Sequence, residues 1–224
     1  DRDGNLVTSD GYKVLGYKPD VKDKEKMSSE VSGIQINRSE TKAPTATSKI
    51  NFKGNLDSRE KEGGKGHTAD TVIKDSLGNS YIVTFKFVKG ATEDKKTTWT
   101  MSVDRITDQA TGDYVEADLN VLNDGNSVTI TFDSDGKVVG IGGNAETNGT
   151  ISDVSLKLKG LKFTTAKGGG EIETYPAGNF GAGGDGKIVL FHPDDEATII
   201  KNLTQYANDM DAKPYAQDGN SSGK

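Results

Sequence analysis

Ala69 to Val103 reads ADTVIKDSLGNSYIVTFKFVKGATEDKKTTWTMSV, and this stretch decides the fold class. Tyr81, Val83, Phe85 and Phe87 fall on one face of its middle segment. Thr84 and Lys86 fall on the other, with Ile82 and Val88 at the ends. A period of two marks a strand with one buried face. Trp99, Met101 and Val103 repeat the alternation on the next segment. Asp75-Ser76-Leu77-Gly78-Asn79 supplies a hairpin turn, because Gly78 takes positive φ without a Cβ clash. Three strands in a row are expected, with Phe52, Tyr81, Phe85, Phe87 and Trp99 in the core. The stretch offers no nucleophile beside a base, no metal cluster and no phosphate loop. It reads as scaffold.

Outward from it, the same alternation recurs. Asn126 to Phe132 and Lys137 to Ile141, joined by Asp133-Ser134-Asp135-Gly136, form a second hairpin. Val154 to Phe163 gives two short runs broken by Gly160, and Lys187 to Phe191 is an apolar run suited to a buried strand. Lys167 to Gly186 is mostly loop, with a short strand candidate around Ile172. Residues 1–18 read as a hairpin, Lys18 to Ser32 as an exposed charged connection, and Glu40 to Ser48 as an extended linker around Pro44. Lys49 to Lys53 is a strand leading into Gly54, and Asp57 to Thr68 is a polar, glycine-rich insertion. A domain boundary is placed near Phe52 and Gly54. The one helix candidate is Asp195 to Asn208, where Ile199, Ile200, Leu203 and Tyr206 share a face behind Pro193. The expected class is mainly β: two antiparallel domains, sandwich-like or barrel-like, with one short helix near the C-terminal return.

Composition narrows the function classes. Counting glycine and omitting tyrosine, the apolar share is roughly 41%, against about 45–50% for average globular domains. That fits a β protein with thin cores and many turns. Net charge is -6, and the 28 Lys and Arg are spread among 34 acids. Duplex nucleic acid is held by clustered basic groups, which this chain lacks, so nucleic acid is not an expected partner. Cysteine is absent, which excludes disulfides, thiolate metal sites and cysteine catalysis. An extracellular bacterial protein and a cytosolic one both stay open. No apolar run approaches the roughly 20 residues that span a bilayer. The opening Asp1-Arg2-Asp3-Gly4 has no initiator Met and reads as the middle of a turn, so the chain reads as a fragment.

Candidate sites give way to plainer readings. Asp133-Ser134-Asp135-Gly136 and Asp1-Arg2-Asp3-Gly4 resemble calcium-loop starts, but the twelfth positions are Asn144 and Tyr12, not Glu. Both read as turns. His192 with Asp194, Asp195 and Glu196 is the densest set of metal-ligand types, yet carboxylates ahead of a helix also complement its dipole. His67 sits in the polar insertion. Gly168-Gly169-Gly170 and Gly181 to Gly186 lack the Lys-Ser/Thr ending of a phosphate loop. Acid pairs formed across strands stay open, since sequence does not align strands. No cofactor, no metal and no enzymatic activity is expected.

Three stretches together resemble the bacterial flagellar hook protein family. They are SDGYKVLGY (Ser9 to Tyr17), INFKGNLDS (Ile50 to Ser58) with VIKDSLGNSYIVTFKFVK (Val72 to Lys89), and NLTQYANDMDAKPYAQDGNSSGK (Asn202 to Lys224). The first is shared with rod and other axial flagellar proteins; the second and third combine to favour hook. The centre, Val103 to Phe191, matches less sharply, which suits a variable outer domain. The resemblance implies an inner β domain, residues 1–49 with 200–224, interrupted by an outer β domain, residues 50–199. It also implies helical terminal segments that are missing here.

The implied function is mechanical: a homopolymer of stacked copies forming a curved extracellular tube, a universal joint passing torque from motor to filament. The implied partners are further copies of the chain, the hook cap, rod and hook–filament junction proteins. Export through the flagellar secretion apparatus is likewise implied, with no membrane span. Some members link subunits covalently through a cysteine and a lysine, chemistry this cysteine-free chain does not have. Exposed outer-domain turns around Lys95 and Lys96 and from Asp108 to Asp113 are the expected subunit contacts, with ordinary solvated turns as the competing reading. The alternative class is an extracellular β-sandwich adhesin that binds glycans.

Overall fold

The computed structural model describes residues 3–19, 26–35, 43–116, 122, 125–142, 149–158, 163–165, 171–172, 178–216 and 218–219. The chain divides into two compact units, Asp1–Ala43 with Ser222–Lys224, and Pro44–Ser221. In the first, β1 (Leu15–Pro19) pairs antiparallel with β2 (Met27–Gly33), Tyr17 facing Val31. Bridges Asn5–Gln35 and Val7–Lys13 extend this ribbon, with the Val7–Lys13 turn closed at Gly11, φ 84°. The expected connection from Lys18 to Ser32 is therefore corrected in part: Met27 onward is strand. Met27 and Val31 gave only a thin apolar signal, and cross-strand hydrogen bonding to β1 supplies what the pattern lacks.

In the second unit, β3 (Ile50–Asp57) is followed by β4 (His67–Lys74), β5 (Ser80–Glu93) and β6 (Lys96–Asp108). Next come β7 (Tyr114–Glu116), β8 (Ser127–Phe132), β9 (Val138–Gly142), β10 (Val154–Lys157), β11 (Phe163–Thr164) and β12 (Glu171–Ile172). Then β13 (Lys187–Phe191), α1 (Glu196–Asn202), β14 (Leu203–Tyr206) and β15 (Lys213–Ala216) complete it. One eight-stranded sheet runs β12-β11-β7-β6-β5-β4, with β8 also pairing β6, and β9 pairing β8. Strand β6 is its spine: β5 lies along one edge, and β7 and β8 share the other. A second sheet is β14-β3-β15, and β10 pairs β13. Among the described residues the fold is mainly β, with several sheets, one short α-helix and no closed barrel.

The alternation in β5 is borne out. Tyr81, Val83, Phe85 and Phe87 are fully buried, as are Trp99 and Met101 on β6. They face Phe52 of β3. Its ring meets Phe85 edge-on at 5.2 Å and Phe87 at 6.1 Å, and stacks on Phe191 of β13 at 5.0 Å. One aromatic cluster thus joins all three sheets, and burial of such rings dominates the stability of a thin β core.

The helix is shorter than its periodicity predicts. It stops at Asn202, and Leu203 to Tyr206 form β14, which runs parallel to Gly54–Asp57. Leu203 is buried in the strand, as the helical stripe also required of it, so its burial does not separate the two conformations. The open edge of β3 decides, because its amides and carbonyls need partners. This pair is parallel, within an architecture expected to be mainly antiparallel. Since β14 and β15 both flank β3, residues 203–216 lie in the same compact unit as 50–199.

Candidate functional site: paired chain ends and a polar-locked module

The second unit begins and finishes at neighbouring places. Asp218 accepts the Ser48 amide at 2.8 Å, the Lys49 amide at 3.2 Å, and the Ser48 hydroxyl. The Thr47 hydroxyl donates to the Asp218 carbonyl at 3.2 Å, while accepting the Lys74 amide at 2.9 Å. Thr47 is buried, and its own amide and carbonyl bond Lys74 and Gly181. Lys49 bridges Val189 and its ammonium lies 2.6 Å from the Asp195 carboxylate. The incoming chain is therefore fastened at several points, and the outgoing chain lies against it.

Inside the unit, polar side chains act as locks. Asp75 is fully buried and its carboxylate takes amides of Leu77, Asn79 and Gly178, the Asn79 side chain, and the Tyr81 hydroxyl, all between 2.9 and 3.2 Å. A buried carboxylate with this many donors is satisfied and holds its surroundings in one arrangement. It ties the β4–β5 turn to the 178–180 segment, where Phe180 packs on Tyr81 at 5.3 Å. Asn55 does the same for the β14–β15 connection. Its Nδ2 donates to the carbonyls of Tyr206, Asn208 and Asp209, and its Oδ1 accepts the Tyr206 amide at 2.7 Å.

The expected contact residues divide. Lys95 (φ 63°) and Asp94 (φ 48°) form the exposed tip of the β5–β6 hairpin, with Lys96 exposed opposite Glu93. Asp108 is buried, and its carboxylate caps the β6–β7 turn through the amides of Ala110 and Thr111 at 2.7 and 3.0 Å. Asp113 is half-buried and its carbonyl accepts the Asp108 amide at 2.7 Å. An exposed-turn reading suits Lys95 and Lys96 but not Asp108.

Of the metal-type candidates, Asp133 and His192 cap backbone turns, while Asp1 and Arg2 lie outside the described residues. Asp133 caps its turn by accepting the amides of Asp135 and Lys137, each at 2.9 Å. Gly136, φ 73°, presses this turn onto β14; a Cβ there would lie 2.1 Å from the Gln205 carbonyl oxygen. His192 Nδ1 accepts the Asp194 amide at 3.2 Å at the start of the helical segment. His67 begins β4 and donates Nε2–H to the Ala212 carbonyl at 2.7 Å. Among the described residues no three His, Asp or Glu side chains are placed to hold a metal ion. On the surface, the Arg59 guanidinium donates to Asp57 at 2.8 and 2.9 Å. With the Arg59 amide, it holds the Asp57 carboxyl below the usual aspartate range.

Sequence reasoning missed Asn55, Asp75 as a hub, and Asp218. Asp75 stood inside a legible turn and Asp218-Gly219 inside a polar tail. Four of the Asp75 contacts are local, but its tie to Gly178 spans 103 residues and the Asp218 tie to Ser48 spans 170, beyond any local signal.

A mainly β unit in which residues 47–49 lie against 218–219, and whose buried polar groups lock loops to strands, has the build of a structural domain. Residues 36–220 match the family described as flagellar basal body protein FlaE D2 domain, and the chain belongs to that family. The family gives it a flagellar, hook-type structural role. A search of curated proteins returns no match. No helix among the described residues is long and apolar enough to cross a membrane.

Proposed function

We propose that this chain is a subunit of the flagellar hook, polymerising into a curved extracellular tube that transmits torque from motor to filament. The family match over residues 36–220 carries the reading. The module's build supports it: one aromatic cluster spans three sheets, so the unit carries load as a single body. Open helical assembly needs a heterologous contact that does not close on itself. In a tube that bends as it turns, such contacts must re-form continually, which suits polar rims better than large apolar seams.

In this reading, residues 44–221 are the outer domain and residues 1–43 belong to the inner one. The boundaries then fall at 43/44 and 221/222 in place of 49/50 and 199/200. Lys95 and Lys96 at the hairpin tip, and the turn carrying Asp113, touch neighbouring copies, while Asp108 shapes that turn from within. The chain has no catalytic role. Hook cap, rod and junction proteins are its other partners, met after export through the flagellar secretion apparatus.

The test is to isolate hook–basal bodies from cells that make the protein, and to label them with an antibody raised against residues 44–221. Labelling of the short curved segment is expected. Labelling of the cell surface instead, with reproducible binding on a glycan array, would replace this reading by the adhesin.

A further inference from the structure

Residues 44–221 form one compact unit, which the chain enters at Ala43–Pro44 and leaves at Ser221–Ser222. The two sides of this junction are secured very differently. On the incoming side, Thr47 is buried and bonded to Lys74 and Gly181, the Ser48 carbonyl accepts the Val189 amide, and Lys49 pairs with Asp195. On the outgoing side, the last ladder residue is Ala216, paired with Ile50. Beyond it, the hydrogen bonds of Asp218 with Thr47, Ser48 and Lys49 fasten the chain. Gly219 seats against the same residues: φ is 102°, and a Cβ would lie 2.3 Å from the Thr47 hydroxyl.

We propose that Asp218 is a latch that fastens the outgoing chain to the incoming one, so that residues 47–49 and 218–219 act as one two-stranded strap instead of two independent strands. The carboxylate is suited to this because it gathers two consecutive amides and a hydroxyl, so it fixes both position and direction of the incoming backbone. Asp218 is exposed and lies outside the apolar core. The latch can therefore open without unfolding the sheets, in the manner of a local opening. Asp218 is a positioning residue, and the stiffness of the paired segments 47–49 and 218–219 is the property it sets.

The experiment is residue-resolved amide exchange on the whole chain, comparing wild type with Asp218→Ala, Asp218→Asn and Gly219→Ala. In Asp218→Ala, exchange at Ser48 and Lys49 should rise about tenfold, the scale of losing one to two net hydrogen bonds. Amides of β5 and β6 should stay within a factor of two. Asp218→Asn keeps an acceptor and should recover part of the protection. Gly219→Ala keeps the carboxylate but displaces it, and should loosen the same two amides. Unchanged exchange at Ser48 and Lys49 would overturn the proposal. So would equal loss of protection in β5 and β6, or failure of Asp218→Ala to fold, since each would make Asp218 part of the cooperative core.

Discussion

Removing the Phe52 ring should cost more than any other single truncation in β3. The side chain is 5% exposed, stacks on Phe191 at 5.0 Å with an interplanar angle of 19°, and meets Phe85 and Phe87 edge-on. Phe52→Ala removes a buried ring and leaves a cavity, a change that costs about 3–5 kcal/mol. Aromatic pair geometry contributes about 0.5–1.5 kcal/mol per pair beyond area, and three such pairs place Phe52 towards the upper end. With a urea slope of about 2 kcal/mol/M, the midpoint should fall by about 2 M. Trp99 is the sole tryptophan and is fully buried on β6, so its fluorescence reports the large sheet directly. Far-UV circular dichroism reports all sheets, and the two transitions should coincide. Val72→Ala, on a side chain 41% exposed, serves as the control and should stay within about 0.5 kcal/mol. A midpoint shift under about 0.5 M for Phe52→Ala, or a Trp99 signal that does not move with it, would refute a single core joining three sheets.

Asp75→Ala leaves the Tyr81 hydroxyl, the Gly178 amide and the Asn79 side chain without their shared acceptor. It should destabilise by about 3 kcal/mol or more in urea melts, with Asp75→Asn losing less; equal stability of all three proteins would contradict the hub. Gly136→Ala drives a Cβ into the Gln205 carbonyl and should cost about 2 kcal/mol or more. Gly63→Ala, also at positive φ but with open space around it, should cost about 1 kcal/mol, and thermal melts separate the two. The Asp57 carboxyl is held low by Arg59, so the stability it adds is present above the ordinary aspartate range and is lost as pH falls through its lowered value. In Arg59→Ala the Asp57 titration midpoint, read by carboxyl carbon NMR, should move up; no movement would show that Arg59 is not the cause.

Strands announced themselves wherever one face is buried. Residues 81–87 and 99–103 alternate because the large sheet covers only one side with core, and a period of two survives in the sequence. Gly78 marked its hairpin because the turn needs positive φ, observed at 87°. Met27–Gly33 was not legible: MSSEVSG has two apolar side chains, both exposed, so its strand state comes from backbone pairing with β1. The overlong helix has the converse cause. Ile199, Ile200, Leu203 and Tyr206 satisfy a helical stripe, yet β3 offers a free edge that Leu203 to Tyr206 complete. Local periodicity loses to a long-range ladder there. The polar locks were least legible, because Asn55 and Asp218 bond segments more than a hundred residues away, and Asp75 adds to its own turn one bond to Gly178 that no local pattern marks.

The most direct measurement on the central claim is a helical reconstruction, by electron cryomicroscopy, of tubes assembled from the full-length protein. Residues 44–221 should fit the map as one rigid body in every subunit, with Thr47–Lys49 and Asp218–Gly219 side by side and the Lys95–Lys96 hairpin tip against a neighbouring copy. A full-length protein that stays monomeric under conditions of hook assembly would contradict the account, as would a map in which this unit breaks into separately placed sheets.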